Sequence, residues 1–230
     1  MNAGSLPPPA GSPSREPVDV RWDLSSIAAV LLDMDGTLVD SDKAIAQAWT
    51  AWAIEHRVVP AAALAISHGT PTSDVVRALL PGLDETEVIR SVRRQWALQY
   101  DDLSDVSALS GAHRLLSTLR RLDLPWAVVT NADATLAAAR LGAAGIAAPL
   151  LITADDVIAG KPDPEGYLAA AGRLGVPSSA CLVVEDSPAG LAAGRAAGMR
   201  TAGLRGIDAD IPLTNLEQLA DLLRSRDATG

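Results

Sequence analysis

The sequence predicts an α/β protein, a doubly wound parallel sheet with helices on both faces and a separate helical segment inserted after the first strand. Three observations carry this prediction. Short apolar runs that suit buried strands alternate with helical patterns over the second half of the chain. Residues 42–103, by contrast, show helical patterns throughout and no continuous strand-like run. The length of 230 residues suits one compact domain that carries a modest insert.

The first predicted element is a strand within residues 27–32. The run IAAVLL is apolar on both faces of a strand and ends at an acidic loop, which is the pattern of a doubly buried strand in a parallel sheet. In the helical segment that follows, tryptophans recur at helical spacing. We expect Trp49, Trp52 and Trp96 to form the core of this insert.

Helix starts in the insert have recognisable N-terminal residues. Thr72 or Ser73 can serve as the N-cap of one helix, and the next helix begins with acids in its first turn, at residues 84–87. After the insert, helices and strands alternate regularly. We expect helices at residues 112–121, 134–141, 165–174, 189–197 and 216–223, and strands at residues 126–130, 150–153, 181–185 and 201–204.

The composition divides the chain into a tail, a core and the insert. Residues 1–18 are dominated by Pro, Gly and Ser, and a segment with so little to bury is expected to be a disordered tail. We assign residues 19–39 and 106–230 to the core and residues 40–105 to the helical insert.

Composition also excludes several classes of protein. A net charge of −9, from 28 acidic and 19 basic residues, opposes binding to nucleic acid and to anionic membrane surfaces, so neither is an expected partner. The apolar share of 48% provides a real core and excludes a disordered or fibrous protein. The single cysteine, Cys181, suits a reducing compartment. Because the chain shows neither a bilayer-spanning run nor a signal-peptide pattern, we expect a cytoplasmic protein.

Polar side chains stand directly after three of the apolar runs that predict strands. They are Asp33 and Asp35 after the first strand, Thr130 and Asn131 after the WAVV run, and Glu185 and Asp186 after the CLVV run. Ligands bind beyond the carboxyl ends of the strands in an open parallel sheet, so we expect these groups to converge. Asp33 and Asp35 share one face of extended chain, and Gly36 permits a sharp turn after them. The alternative is an ordinary Asp-Gly turn that ends a strand.

Carboxylates gathered at one site need a cation nearby. Glu185 and Asp186 add hard oxygen ligands to those of Asp33 and Asp35. Ligation by oxygen, without clustered His or Cys, favours Mg²⁺ over Zn²⁺. The alternative for the second acidic pair is a helix start with Ser187 as its N-cap. Both interpretations can hold, because Ser187 can cap the helix while the two acids face the cation.

Lys161 and Thr130 are candidate residues of an anion-binding site. Lys161 is one of only two lysines among 19 basic residues. A point charge on a flexible stem suits a phosphate beside a carboxylate, whereas the broad arginine fork does not substitute freely. Thr130 offers a hydroxyl group, and the amides after it stand at the start of a helix, where an anion is favoured. The alternative for Lys161 is a solvated surface lysine.

Four motifs occur in order along the chain. DMDGTLVDS begins at Asp33, VVTNAD at Val128, GKPDPEGY at Gly160 and VVEDSPAG at Val183. Together they resemble the haloacid dehalogenase (HAD) superfamily, in its phosphatase branch of β-phosphoglucomutase-like proteins with a helical cap. The resemblance covers residues 27–206. Within the branch the chain is most similar to small sugar-phosphate and polyol-phosphate phosphatases, including the 2-deoxyglucose-6-phosphate and glycerol-3-phosphate phosphatases.

The resemblance implies an enzyme that hydrolyses a small sugar or polyol phosphate with Mg²⁺ through an aspartyl-phosphate intermediate. It makes Asp33 the nucleophile and Asp35 the general acid and base. It assigns the substrate's phosphate to Thr130, the Asn131 amide and Lys161.

The resemblance also implies metal ligands and substrate contacts. The implied ligands are the Asp33 carboxylate, the main-chain carbonyl of Asp35 and the Asp186 carboxylate, with direct or water-mediated support from Glu185. In the cap, His68 and Thr72 are the candidates for contacts with the substrate's hydroxyl groups.

Three positions depart from the patterns of the family. Pro71 stands where relatives active on glycerol phosphate often have Arg, and Asp133 stands where Ser is more usual. Ile45 replaces the hinge His of the related phosphosugar mutases, which favours hydrolysis. The alternatives are a phosphosugar mutase of the same fold and a catalytically silent regulator that binds a phosphometabolite. We expect a monomer or a weak dimer.

Overall fold

The computed structural model describes residues 22–67, 70–100 and 103–226. It contains a six-stranded sheet and a two-stranded sheet. The strands are β1 (Ala29–Leu32), β2 (Val39–Asp40), β3 (Ser107–Ala108), β4 (Trp126–Val129), β5 (Leu151–Ile152), β6 (Cys181–Glu185), β7 (Arg200–Gly203) and β8 (Ile211–Pro212). The helices are α1 (Asp42–Glu55), α2 (Pro60–Ser67), α3 (Thr72–Leu79), α4 (Glu85–Leu98), α5 (Ala112–Arg121), α6 (Ala134–Ala143), α7 (Glu165–Leu174), α8 (Pro188–Ala196) and α9 (Leu216–Arg226).

The large sheet has the strand order β5-β4-β1-β6-β7-β8, and all of its neighbouring strands are parallel. Strand β1 is central, since it pairs with β4 on one side and with β6 on the other. The order in which the chain adds strands therefore reverses at β1. In open parallel sheets such a reversal creates a crevice beyond the carboxyl ends of the strands. The residues that follow β1, β4 and β6 share that edge.

Both faces of the large sheet are covered, as the sequence predicts. All four residues of β1 are completely buried. Val30 and Leu32 belong to the apolar cluster on the face that α5 and α9 cover. Ala29 and Leu31 belong to the cluster on the opposite face, under α7 and α8. A strand buried on both faces needs apolar residues at every position, which explains the uninterrupted apolar run in the sequence.

Helices α1 to α4 build a third apolar cluster. The rings of Trp49 and Trp52 meet edge to face, with their centroids 5.2 Å apart, and Val75 of α3 packs into the same cluster. The Trp52 indole N–H donates to Ser91 Oγ at 3.0 Å. The predicted packing of Trp49 and Trp52 is therefore confirmed. The prediction for Trp96 is wrong, because this half-buried side chain lines a cavity instead.

Some local features differ from the predictions. Helix α3 begins at Thr72, with Pro71 in the N-cap position and no side-chain cap, so the predicted N-cap at Thr72 or Ser73 is wrong. Ser187 does cap α8, since its Oγ accepts a hydrogen bond from the Gly190 N–H at 3.1 Å. Strands β2, β3 and β8 have two residues each. They are too short to show an alternating pattern and were not predicted.

Two predicted features fall outside the described residues. They are the tail at residues 1–18 and the cap residue His68. Within the described part of the chain, no helix has both the length and the apolarity needed to span a membrane.

Candidate active site

The loop after β1 brings the first acidic side chain to the edge of the sheet. Asp33 follows β1 directly, and its main-chain N–H donates to the Val184 carbonyl of β6 at 3.0 Å. The loop then turns at Gly36, whose φ of +79° lies in the left-handed region. A Cβ atom at this position would lie 2.1 Å from Asp186 Oδ2. Only glycine therefore allows the loop to approach the carboxylate after β6 so closely.

Lys161 lies inside the site, with 7% of its surface exposed. Its Nζ atom donates to Asp33 Oδ1 at 2.5 Å, to Glu185 Oε1 at 2.6 Å and to the Val129 carbonyl at 2.8 Å. These bonds use all three N–H groups of the ammonium. Burial alone would lower the pKa of Lys161, but the Asp33 and Glu185 carboxylates outweigh it and raise that pKa. The lysine is charged and paired, so the alternative of a solvated surface lysine is wrong.

Asn131 holds the main chain of Lys161 in place. Asn131 Oδ1 accepts from the Lys161 N–H at 2.9 Å, and Asn131 Nδ2 donates to the Lys161 carbonyl at 3.2 Å. A Cβ atom at Gly160 would lie 2.7 Å from Asn131 Oδ1, so this pairing depends on a glycine before the lysine. The neighbouring Thr130 is buried, and its Oγ1 accepts from the Ala132 N–H at 3.1 Å. The sequence did not indicate this use of the Asn131 side chain.

Glu185 is completely buried, and its carboxylate accepts five hydrogen bonds. Oε1 accepts from Lys161 Nζ and from the Tyr167 hydroxyl at 2.8 Å. Oε2 accepts from Ser187 Oγ at 3.0 Å and from two main-chain N–H groups. Burial, with the nearby Glu185 charge, raises the pKa of Tyr167 well above its ordinary value, so the hydroxyl stays a donor. Sequence reasoning missed Tyr167, although it ends the GKPDPEGY motif.

Arg205, which follows β7, links Asp186 to the start of α1. Its Nε lies 3.1 Å from Asp186 Oδ2. Its Nη1 and Nη2 atoms donate to the two carboxylate oxygens of Asp42 at 2.7 and 3.0 Å. Burial raises the pKa of Asp186 to about 7, and the Glu185 charge adds to this effect while Arg205 opposes it. No local sequence signal marks Arg205 as a site residue.

Asp33, Glu185 and Asp186 form a buried acidic cluster. One carboxylate oxygen from each residue lies within 4.8 Å of the other two. Burial, followed by the Glu185 charge, raises the pKa of Asp33 well above its ordinary value. Burial and the neighbouring carboxylates thus outweigh the contact with Lys161, and the cluster disfavours its fully ionised form. A set of hard oxygen donors in this condition fits a Mg²⁺ ion.

Both carboxylate oxygens of Asp35 accept hydrogen bonds from residues outside the acidic cluster. Its Oδ1 accepts from Ser41 Oγ at 2.6 Å, and its Oδ2 accepts from Arg140 Nη1 at 2.6 Å. Arg140 lies in α6 and is 1% exposed. Arg140 was not identified from the sequence. The one feature that could have indicated it is that an arginine stands within a predicted helix of mostly apolar residues.

A cavity of about 660 Å³ is lined by Asp33 and Asp186 of the acidic cluster and also by residues of α1, α3 and α4. The predicted core residues Asp33, Asp35, Thr130, Asn131, Lys161 and Asp186 line it. The insert contributes Ile45, Thr70, Thr72, Ser73, Asp74 and Trp96, among others. Thr72 thus lies where the sequence predicts a substrate contact.

The chain is similar to known hydrolases and phosphatases in sequence and in structure. The profile of the haloacid dehalogenase-like hydrolase family matches residues 27–198. Hexitol phosphatase A of Escherichia coli is 38% identical over 197 residues, which are 82% of this chain and 91% of that protein. 2-deoxyglucose-6-phosphate phosphatase 1 of Saccharomyces cerevisiae is 34% identical over 192 residues, which are 76% of this chain and 78% of that protein. A solved hydrolase structure from Pseudomonas syringae has a TM-score of 0.77 at 25% identity, and the match covers 86% of this chain and 98% of that one.

These similarities confirm several predictions. The resemblance to the HAD superfamily and to its sugar-phosphate phosphatases is confirmed. The predicted enzyme class, a phosphatase, and the predicted α/β fold are confirmed as well. The roles of the individual site residues stay predictions. With its fold, its motifs and its relatives in agreement, the chain belongs to the haloacid dehalogenase-like hydrolase family.

Proposed function

We propose that this chain is a Mg²⁺-dependent phosphatase that hydrolyses a small sugar or polyol phosphate through an aspartyl-phosphate on Asp33. The observation that carries the proposal is the buried contact of Lys161 with Asp33, at 2.5 Å, on the wall of a cavity large enough for a small metabolite. The relatives support the substrate class, since one is named a hexitol phosphatase and another a 2-deoxyglucose-6-phosphate phosphatase.

Mg²⁺ would be held by the carboxylates of Asp33 and Asp186 and by the main-chain carbonyl of Asp35. We assign Glu185 a supporting role, because both of its oxygens already accept hydrogen bonds from protein groups, including Lys161. When bound, the ion would neutralise charge on the transferring phosphoryl group. This division of roles keeps Glu185 as the residue that orients the lysine.

Asp33 attacks the phosphorus atom, and groups of the protein reduce the repulsion that this attack meets. Two like charges about 4 Å apart repel by about 4 kcal/mol at an effective dielectric constant of about 20. The Lys161 ammonium, already in contact with Asp33 Oδ1, offsets part of this repulsion. The Thr130 hydroxyl and the Asn131 N–H donate to phosphoryl oxygens. The covalent intermediate divides one difficult displacement into two easier steps.

Asp35 is the proposed general acid and base. In the first step its carboxyl group gives a proton to the leaving alkoxide. In the second step its carboxylate takes a proton from the water molecule that attacks the phosphoenzyme. The side chain is 21% exposed and lines the cavity, so the leaving group can reach it.

We also propose that residues 40–105 act as a cap over a core formed by residues 19–39 and 106–230. Hydroxyl groups on the insert side of the cavity suit the hydroxyl groups of a sugar or polyol; they belong to Thr70, Thr72 and Ser73. The predicted contact of His68 belongs to the same proposal. A cap that closes over the substrate excludes bulk water from the reacting groups.

The proposed setting is the cytoplasm, with the enzyme a monomer or a weak dimer that binds neither nucleic acid nor membranes. The net charge of −9 supports the absence of polyanionic partners. Cys181 is a buried free thiol, which suits a reducing compartment.

The test is a panel of phosphorylated sugars and polyols, assayed for phosphate release with Mg²⁺ and with EDTA. We expect release that depends on Mg²⁺ and that falls to background in Asp33→Asn. Acid quenching during turnover of a radiolabelled substrate should trap a labelled enzyme only when Asp33 is present. Asp208→Asn is the matched control, because it removes a carboxylate whose side chain is fully exposed, and it should behave as the wild type does.

Three outcomes would contradict the proposal. Turnover by Asp33→Asn at the wild-type rate would contradict the assignment of Asp33 as the nucleophile. Isomerisation of a sugar monophosphate without phosphate release would indicate a mutase. Tight binding of the phosphorylated compounds without any reaction would indicate a silent binding protein.

A further inference from the structure

Arg140 joins Asp35 to the end of α4. One guanidinium nitrogen donates to Asp35 Oδ2, and the other, Nη2, donates to Gln99 Oε1 at 2.6 Å. Gln99 is the buried C-terminal cap residue of α4. Its Nε2 donates in turn to Gln95 Oε1 at 2.6 Å. A continuous chain of hydrogen bonds therefore runs from α4 through Arg140 to Asp35.

Helix α6 also contacts the next residue after Gln99. Asp133 stands seven positions before Arg140, which puts both on the same face of the helix. It accepts from the Tyr100 hydroxyl and also caps α6 by accepting from the Leu136 N–H at 2.9 Å. Burial, with the Asp133 charge, raises the pKa of Tyr100 to about 12, so the hydroxyl remains a donor. Two consecutive residues after α4 are thus anchored to one face of α6.

The buried guanidinium group of Arg140 carries a cost that an apolar side chain would not. Its Nε has no hydrogen-bond partner within the described ranges of the chain, and a buried donor without a partner costs free energy. An apolar side chain of similar volume would avoid this cost. The bonds to Asp35 and Gln99 are the interactions that offset it.

We infer that Arg140 is a positioning residue for Asp35, which fixes the carboxyl group at the cavity wall and ties its orientation to the end of α4. Arg140 is not among the described residues that line the cavity, so it acts through Asp35 and not on the reacting atoms. The inference rests on the proposed function, because it requires that Asp35 exchange protons with the substrate. Such exchange needs heavy atoms roughly 2.6–3.2 Å apart, and a rotated carboxyl group loses that distance.

The test compares Arg140→Met with the wild type on two substrates, by rapid quench of phosphoenzyme formation in a single turnover. One is the alkyl phosphate that the wild type hydrolyses fastest, whose alkoxide leaving group needs a proton. The other is 4-nitrophenyl phosphate, whose leaving group does not. We expect the rate on the alkyl phosphate to fall about tenfold to hundredfold, with half-saturation within about threefold. On 4-nitrophenyl phosphate we expect a loss of less than about threefold.

A second comparison places Arg140→Met in an Asp35→Asn background. If Arg140 acts through Asp35, the double variant is no slower than Asp35→Asn alone, within about twofold. The inference is overturned if Arg140→Met slows phosphoenzyme formation as much in the Asp35→Asn background as in the wild type. It is also overturned if Arg140→Met slows the reaction equally on both substrates. Arg195→Met is the matched control, because it removes an exposed arginine of α8 that donates to the Asp208 carbonyl. It should keep the wild-type rates.

Gln99→Met keeps the inference testable if Arg140→Met does not fold. This variant leaves the Arg140 contact to Asp35 in place, and it removes the acceptor of Arg140 Nη2 together with the hydrogen bond that Gln99 donates to Gln95. We expect Gln99→Met to slow phosphoenzyme formation less than Arg140→Met does, and again to slow it more on the alkyl phosphate than on 4-nitrophenyl phosphate. An unchanged rate on the alkyl phosphate would refute the link to α4. A wild-type protein that releases phosphate from no ester rejects the proposed function, and the inference with it. An active wild type with a fully active Arg140→Met rejects the inference alone.

Discussion

The Lys161 ammonium lies 2.5 Å from Asp33 Oδ1, although the two residues are 128 positions apart in the chain. Both residues are buried, with 7% and 8% of their surfaces exposed. The same ammonium contacts Glu185 at 2.6 Å. Removal of this cation would leave two carboxylates unpaired in a buried site, which costs much more than the loss of a surface ion pair.

Replacement of Lys161 by Met should therefore lower both stability and activity. The free energy of unfolding is expected to fall by about 3–5 kcal/mol, the cost of breaking a buried ion pair. Phosphate release should fall to background, because the groups that hold the phosphate lose their cation. Unfolding in urea measures the first effect and the phosphate assay the second.

Lys43→Met is the matched control, since Lys43 is the only other lysine of the chain. Its pair with Asp105 is exposed, with side-chain exposures of 67% and 31%. We expect a change in unfolding free energy of less than about 1 kcal/mol. Equal losses of unfolding free energy in the two lysine variants would show that the contribution of Lys161 to stability does not come from its burial.

Alanine at Gly36 and at Gly206 should separate backbone strain from the close approach to Asp186. The φ angles are +79° and +75°, so alanine is strained at both positions, by about 1–2 kcal/mol. At Gly36 the new Cβ would also lie 2.1 Å from Asp186 Oδ2, whereas at Gly206 it would meet no described atom within 4 Å. Only Gly36→Ala should therefore displace the proposed metal ligand.

We expect Gly36→Ala to bind Mg²⁺ at least about tenfold more weakly than Gly206→Ala, because displaced ligand geometry weakens metal binding. Calorimetric titration with Mg²⁺ measures this ratio without any assay of activity. Equal affinities in the two variants would argue against Asp186 as a ligand.

Mg²⁺ should stabilise the protein more at high pH than at low pH. Burial raises the pKa of Asp33 and raises the pKa of Asp186 to about 7, whereas both ionise near about pH 4 in the unfolded chain. Without metal, stability therefore falls as the pH rises from about 4 to about 7, because the folded state disfavours the ionised carboxylates. A divalent ion favours the ionised forms and removes that penalty.

Thermal unfolding with Mg²⁺ and with EDTA, at about pH 5 and about pH 8, measures this effect. The gain in Tm from Mg²⁺ should be larger at the higher pH and should shrink in Asp186→Asn. NaCl at matched ionic strength is the control for general screening. Equal gains at the two pH values would contradict the expected competition between protons and the metal.

The charge of the cavity should select substrates whose distal end carries no negative charge. Lys161 is the only basic side chain among the described lining residues, and it is already paired with Asp33. The insert side of the cavity adds Asp74, and also Asp42, whose carboxylate is paired with Arg205. A carboxylate at the far end of the substrate would meet these acids without a partner.

Sorbitol 6-phosphate and 6-phosphogluconate test this expectation, because they share a carbon chain and differ at the end distant from the phosphate. We expect kcat/KM for sorbitol 6-phosphate to be at least about tenfold higher than for 6-phosphogluconate. In Asp74→Asn this difference between the two substrates should be smaller. A preference for the acid would show that a cationic group not among the described lining residues recognises that end.

Much of the core could be predicted because its signals are local. Strand Cys181–Glu185 and helix Glu165–Leu174 have the predicted bounds, since an apolar run and a helical pattern can each be recognised in consecutive residues. The polar residues after β1, β4 and β6 could be expected at one place because parallel strands end at one edge of a sheet.

The contacts of Arg140, Arg205 and Tyr167 could not be predicted in the same way. Arg140 contacts an acid 105 positions away, and no local pattern indicates which carboxylate an arginine meets. The prediction for Trp96 failed for a related reason. Helical spacing indicates which residues share a face of a helix, but not whether that face meets other helices or a cavity.

The sequence by itself determined the family, the succession of strands and helices, and the acids that stand at the strand ends, because these depend on composition and spacing along the chain. Only the tertiary structure decided that Lys161 pairs with Asp33 and Glu185, and that Arg140 pairs with Asp35. Such pairs depend on the distance between remote segments. That distance is set when the strands assemble in the order β5-β4-β1-β6-β7-β8 and the helices pack on them.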